Sequence, residues 1–268
     1  MKYLIKKTCF IFLEWIFVNH LFRYLNRGKI KVLLYHNIID SRLFFKNAIS
    51  KKSFIKQLKY LNKYYNIVTL SQEGTWIGLS KKKVNILITF DDGFINNYEV
   101  AMPILLDFGI NAYFFLISDC VEEGIVPCFI KKQYPNHDCI PEFRTVNKIQ
   151  VKEMLQKGMN IGSHTIYHND LSKVSITEAV YDADNSKKYL KTILENNVDS
   201  FAFPWGFYKE EQLPSIKKIF RRIFTVKHGF NLKDDQILHR NEVDEDYQMF
   251  ATASGLLDFL KCLFQQKN

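Results

Sequence analysis

No stretch of about 18 uninterrupted apolar residues occurs in the sequence, which argues against a chain that crosses a membrane repeatedly. Glycine and proline are scarce, at 11 and 6 in 268 residues, and this excludes collagen-like and low-complexity architectures. The cysteines Cys9, Cys120, Cys128, Cys139 and Cys262 are odd in number and form no CxxC pair. That argues against a disulfide framework and for a reducing compartment. Cys128, His137 and Cys139 are close in sequence, but their spacing matches no structural zinc pattern. Zinc-finger spacing and RNP-type aromatic motifs are also missing, so the net charge of +9 is not read as nucleic-acid binding. What remains, at 47% hydrophobic and 24% charged residues, is a globular chain with enough apolar material for a sizeable core. It is soluble or peripherally bound.

The charge is unevenly placed. Lys2, Lys6, Lys7, Arg23, Arg27, Lys29 and Lys31 face the single acid Glu14, so the first 31 residues carry +6. Cys9 to Val18 is apolar except for Glu14, too short to span a bilayer comfortably, and followed by Asn19, His20 and Arg23. A signal peptide wants an uncharged core and a small-residue cleavage site, and neither is present. The expected location is therefore the cytoplasm or the surface of the cytoplasmic membrane. Residues 1–28 admit two readings: a helix lying in the membrane interface beside anionic lipid, or a helix packed against the domain. Residues 29–268 show no internal repeat and no flexible linker, and are read as one domain.

Within that domain strand-like and helix-like segments alternate. Strands are expected at Lys31–Tyr35, Asn66–Leu70, Asn85–Phe90, Ala112–Ile117, Met159–Gly162, Ser200–Phe203 and Arg222–Val226. Helical patterns lie near Lys52–Lys63, Asn97–Phe108, Asn147–Lys157, Thr177–Glu195 and Lys209–Phe220. The fourth opens with a capping box, Ser175 and Glu178, and Gly109 and Gly158 stand at helix C-cap positions. Such an order predicts an α/β fold with a parallel sheet, open or closed into a barrel. Ser118–Thr145 reads as a long irregular stretch.

Four polar clusters each follow a predicted strand: His36, Asp91-Asp92, His164 with His168, and Pro204-Trp205-Gly206. In a parallel α/β fold all strand C-termini share one face, where sites are built. Two adjacent carboxylates repel, so ionising both calls for a nearby cation. Taken alone, Asp91-Asp92-Gly93 is more often a turn with capping aspartates. Asp92, His164 and His168 together form a two-histidine, one-carboxylate set suited to a catalytic divalent metal. A zincin motif is excluded, because Thr165 stands where HExxH needs glutamate. The second carboxylate can take a proton from water, backbone N–H groups beside Trp205 can face an oxyanion, and His36 or His239 can protonate a leaving group. These are the needs of amide or ester hydrolysis.

The residues Thr89-Phe90-Asp91-Asp92-Gly93, Ser163-His164-Thr165-Ile166-Tyr167-His168 and Phe201-Ala202-Phe203-Pro204-Trp205-Gly206 resemble the first three motifs of NodB-type polysaccharide deacetylases, carbohydrate esterase family four. The resemblance runs from about Lys31 to Val243. It implies a distorted (β/α)-barrel and metal-dependent removal of acetyl groups from N-acetylated sugars. By matching positions it makes Asp91 the general base, Asp92, His164 and His168 the metal ligands, and the Trp205 main-chain N–H an oxyanion donor.

The departures from the family pattern matter. Ala202 replaces the third-motif arginine that orients the base, and Arg240 is the expected substitute. Trp205 replaces a tyrosine, which a backbone donor tolerates. The late LxH motif is absent, whereas Leu34-Tyr35-His36 supplies one at the beginning, as in the circularly permuted biofilm poly-N-acetylglucosamine deacetylases. His36 is therefore preferred over His239 as general acid. No DxxDW-like fourth motif is present to pack against His36. Zinc is the default metal, with cobalt, nickel or manganese as alternatives. The partner expected is an N-acetylated glycan, with no nucleic acid. The competing readings are a deacetylase or deformylase of a lipid-linked sugar and a non-catalytic glycan-binding module.

Overall fold

The structure, a computed structural model, describes residues 17–39, 48–135, 143–243 and 246–256. His137 and Cys139, and the first 16 residues of the N-terminal segment, lie outside them. The strands are β1 (Ile30–Tyr35), β2 (Asn37–Ile39), β3 (Ala48–Ser50), β4 (Asn66–Leu70), β5 (Trp76–Ile77), β6 (Asn85–Phe90), β7 (Tyr113–Leu116), β8 (Asn160–Ser163), β9 (Ser200–Ala202), β10 (Arg222–Phe224), β11 (Ile237–Leu238) and β12 (Arg240–Glu242). The helices are α1 (residues 17–25), α2 (Lys51–Tyr64), α3 (Met102–Asp107), α4 (Cys128–Gln133), α5 (Lys148–Gln156), α6 (Ile176–Leu194), α7 (Leu213–Ile219) and α8 (Asp246–Ser254).

The main sheet runs β11-β10-β9-β8-β7-β6-β1-β12, with β4 beside the first half of β6 and β7 beside its second half. All pairings along that order are parallel. Its edges, β11 and β12, are consecutive in the chain and separated only by His239. One segment, Ile237–Glu242, thus joins the two edges and curls the sheet. This is the distorted (β/α)-barrel that the motifs imply.

Parallel strands covered on both faces read as apolar runs, and every residue of β1 and β6 is buried. Alternation sends Ile30, Val32 and Leu87 inward to meet Tyr113, Phe115 and Phe224 inside the curl. Leu33, Tyr35, Ile86, Ile88 and Phe90 face outward under the helices. Local chemistry fixes the helix ends. Ser175 and Glu178 exchange side-chain to backbone hydrogen bonds at the start of α6, and Gly109 and Gly158 take φ of +65° and +84° after α3 and α5.

Three of the segments read from the sequence differ from the structure, and β2, β3, β5, β11, β12 and α8 add to those expected. Asn97–Ala101 forms a π-turn before α3 rather than continuous α-helix. The last helical pattern starts as a 3₁₀ turn, Glu210–Gln212, and becomes α-helix at Leu213. Ser118–Thr145 is not wholly irregular: it contains a 3₁₀ turn, Ser118–Cys120, and α4, whose Ile130 packs with Phe94 and Phe143 in a small separate core.

Candidate active site

His36, Asp91, Asp92, His164, His168 and Trp205 all follow strand C-termini and line one cavity of about 330 Å³. That volume lies within the range of small-ligand pockets. Three of the turns bearing these residues use left-handed backbone on side chains that ordinarily avoid it. Asp92 has φ 69°, Thr165 66°, His168 61° and Trp205 58°, and the one other such residue among those described, Glu195, caps α6. Such conformations cost about 1–3 kcal/mol each and persist only where the surroundings impose them. Gly93 and Gly206 complete two of the turns: a Cβ on Gly93 would meet Leu116 Cδ2 at 2.6 Å, and one on Gly206 would collide with Val226.

Arg240 opens β12 beside Val32 and points into the curl, fully buried. Its guanidinium donates to both carboxylate oxygens of Asp91, at 2.6 and 2.7 Å, and its Nε donates to the Thr225 carbonyl at 3.2 Å. The aromatic rings of Phe115 and Phe224 lie below it at 5.3 and 5.8 Å. A planar fork meeting a carboxylate at two points fixes orientation as well as charge. Burial alone would raise the Asp91 pKa, but the Arg240 charge, followed by His164, holds it below the usual carboxylate range.

The His164 ring is held from behind. His164 Nδ1 lies 2.8 Å from the Ala202 carbonyl, which selects the tautomer that donates there and leaves Nε2 free. That nitrogen stands 3.6 Å from Asp92 Oδ1 and 3.8 Å from Asp91 Oδ2. Burial pulls the His164 pKa down to about 4, so the ring is neutral at pH 7, as a metal ligand must be. His168 Nε2 lies 3.1 Å from Asp92 Oδ1. Against the pull of burial, His168 above all keeps the Asp92 carboxyl well below its ordinary value. The loop between the two histidines is tied by Thr165, whose hydroxyl accepts the His168 N–H at 3.0 Å, and by Asp182 of α6, which accepts the Ile166 N–H at 2.6 Å.

Asp92, His164 and His168 each offer one ligand atom, and these atoms lie within 4.8 Å of one another. Among the described residues this is the one set of three with such geometry. Asp92 Oδ1 is buried and makes no well-formed hydrogen bond, and the groups facing it are the Nε2 atoms of His168 and His164 at 3.1 and 3.6 Å, an arrangement that a shared cation would satisfy. The residues therefore fit a divalent metal with two nitrogen ligands and one oxygen ligand.

His36 sits across the cavity with Nδ1 3.8 Å from Glu242 Oε1. Glu242, on the same side of β12 as Arg240, was not anticipated from the sequence. The two-residue alternation of Arg240-Asn241-Glu242 was the signal available. The alternative acid, His239, lies at the seam between β11 and β12, 3.5 Å from the Thr225 hydroxyl, and does not line the cavity. Also unanticipated is Phe129 of α4, which stacks on the His168 ring at 4.2 Å and meets Trp205 edge-on at 5.4 Å. Trp205 and Phe207 remain about half exposed at the mouth, an aromatic wall of the kind that accepts the apolar face of a sugar.

The profile of the family described as polysaccharide deacetylase matches residues 79–220. A Bacillus subtilis protein described as a polysaccharide deacetylase, YxkH, is 28% identical over 232 residues, 85% of this chain and 75% of that protein. A poly-β-1,6-N-acetyl-D-glucosamine N-deacetylase of Staphylococcus aureus is 28% identical over 204 residues. That alignment covers 71% of this chain and 63% of the staphylococcal enzyme. Among solved structures, IcaB from Ammonifex degensii superposes with a TM-score of 0.69 at 25% identity, over 85% of this chain and 97% of that one. A de-N-acetylase from Aggregatibacter actinomycetemcomitans shares the fold at a TM-score of 0.68 and 23% identity, over 83% and 99% of the two chains.

Proposed function

The chain belongs to the polysaccharide deacetylase family, hydrolases of carbon–nitrogen bonds, and on that footing we propose that it removes N-acetyl groups from glycans containing N-acetylhexosamine in a metal-dependent reaction. The observation that carries the reading is the convergence of Asp92, His164 and His168 on one point, directly beside an Asp91 gripped at both oxygens by Arg240.

Asp92, His164 and His168 hold the metal, with zinc favoured by the nitrogen-rich donor set. When bound, the metal supplies Lewis acidity to the acetyl carbonyl and lowers the pKa of water in the site. The protein's own groups do the rest. Asp91, kept ionised by Arg240, accepts the proton of the attacking water at its carboxylate. Arg240 prevents that carboxylate from rotating, the task that the arginine missing at Ala202 would have had. The Trp205 main-chain N–H, presented by a turn with φ 58°, donates to the developing oxyanion. His36, whose Nδ1 stands 3.8 Å from Glu242 Oε1, gives a proton to the departing amine. The amine leaves on the sugar and acetate remains.

The staphylococcal relative acts, by its name, on poly-β-1,6-N-acetyl-D-glucosamine, which supports a β-linked N-acetylglucosamine polymer as the substrate class. The test is mass spectrometry of a panel of N- and O-acetylated glycans after incubation with zinc-loaded protein. Loss of acetyl mass from N-acetylated members, abolished by Asp91→Asn and by chelation, is expected. Unchanged masses throughout, with zinc bound to the protein, would overturn the reading.

A further inference from the structure

Helix α1 is apolar on its outer side as well as its inner one. Its inward face carries Asn19, the partly buried Phe22 and Arg23, followed just past its end by Asn26, and the polar residues of this set tie it to the domain. Ser254 donates to Asn19 at 2.7 Å, Asn26 donates to the Ser254 carbonyl at 3.2 Å, and Arg23 donates to the Tyr60 hydroxyl at 3.0 Å while lying over the Tyr64 ring. The outward face carries Phe17, Leu21, Tyr24 and Leu25, at i, i+4, i+7 and i+8, and these are 69%, 42%, 55% and 60% exposed. A surface helix of a water-soluble domain keeps its solvent face polar. Four large apolar side chains on a helix of nine residues form a contiguous exposed stripe, and such a stripe marks a contact surface.

Charge identifies what it contacts. Helix α2, against which α1 is held through Tyr60 and Tyr64, contains five lysines and no acidic residue. Lys52, Lys56, Lys59 and Lys63 recur at i, i+4, i+7 and i+11, all exposed, on one side of that helix. Arg27 lies over the Tyr24 ring at 3.7 Å, placing another cation at the margin of the apolar stripe. We propose that the α1 stripe and the α2 lysines together form a docking surface for an anionic lipid bilayer, with Phe17, Leu21, Tyr24 and Leu25 entering the headgroup boundary and the lysines meeting lipid phosphates. Helix α2 leads from β3, whose partner β2 follows His36, to the start of β4 beside β6, over a length of about 20 Å. No described helix is long and apolar enough to cross a membrane.

The test is co-sedimentation of the full chain with vesicles of phosphatidylcholine alone and of phosphatidylcholine with about one third phosphatidylglycerol. Binding is expected to the anionic vesicles, to weaken in high salt, and to be slight without phosphatidylglycerol. Leu21→Ser with Leu25→Ser lowers it about tenfold or more, and Lys52→Glu with Lys59→Glu lowers it about fivefold or more for each lysine removed. All four positions are exposed, so circular dichroism and acetate release from a soluble oligosaccharide stay at parental values. Parental binding by the double leucine variant would overturn the proposal, including the case in which residues 1–16 alone carry the attachment. So would a parent that ignores vesicles but sediments as a dimer that the leucine variant dissociates, for the stripe would then cover a second copy of the chain.

Discussion

Replacing Arg240 by methionine isolates the electrostatics beneath the site. Methionine keeps much of the aliphatic volume against Phe115 and Phe224, so little cavity is left and the loss is mainly that of charge. Asp91, only 3% exposed, then has no guanidinium at 2.6 and 2.7 Å from its oxygens. Removing one partner of a buried ion pair costs about 3–5 kcal/mol, a large share of a domain's stability of about 5–15 kcal/mol. The penalty depends on pH. With Arg240 present the folded pKa of Asp91 lies below its unfolded value, so the pair's stabilisation is full above roughly pH 4 and is lost as pH falls through the folded value. Without Arg240, burial dominates and lifts the folded pKa above the unfolded one, so the variant loses stability as pH rises from about 4. The gap between parent and variant is therefore small near pH 3 and largest at neutral pH. Urea unfolding in the presence of chelator measures it without a metal contribution. Adding Asp91→Asn to Arg240→Met removes the stranded charge and recovers most of the loss. A penalty below about 1 kcal/mol at pH 7, or no recovery in the double variant, would mean that Arg240 does not stabilise a buried Asp91 charge.

Three further outcomes follow from the site. His36→Ala lowers turnover by about 10²–10⁴-fold while zinc affinity measured by calorimetry is unchanged; normal turnover would remove His36 from the mechanism. Asp182→Ala takes away the acceptor of the Ile166 N–H and weakens zinc binding about 10–100-fold in competition with a chromophoric chelator, whereas Asp182→Asn keeps an oxygen there and stays near the parent. Equal affinity in the alanine variant would show that the histidine loop holds its shape unaided. Gly206→Ala drives a methyl into Val226 at φ 71° and displaces the Trp205 turn, lowering turnover on the order of a hundredfold. Full turnover in that variant would dissociate the turn from catalysis.

The sheet was legible because its central strands are short apolar runs bounded by turn residues. Asn66–Leu70 and Asn85–Phe90 occur where the pattern places them. Strands of two or three residues, such as β2, β3 and β5, carry too few alternations to register as a period. The π-turn at Asn97–Ala101 arises inside a continuous helical pattern and depends on packing rather than local preference. Within the site, Asp91, Asp92, His164 and His168 stood out because carboxylates and imidazoles cluster after strands. The residues that hold them did not stand out equally. Arg240 was traced from the arginine missing at Ala202, but its partnership with Asp91 spans 149 positions and exists only in the folded curl. Phe129 sits on a six-residue helix after Pro127, in a stretch with no clear period, so its contact with His168 could not be read from the chain. Asp182 belongs to the regular pattern of α6, where a buried acid at one helical position resembles its exposed neighbours until the histidine loop is placed above it.

Hydrolysis is expected to depend on a metal held by Asp92, His164 and His168. The most direct test of that dependence is zinc titration of chelator-stripped protein, following acetate release from an N-acetylglucosamine oligomer and zinc binding in parallel. The expected result is no release without metal, a rise that ends at one zinc per chain, and neither binding nor release in His164→Ala with His168→Ala. Full activity in the stripped protein, or zinc binding unaffected by loss of both histidines, would contradict it.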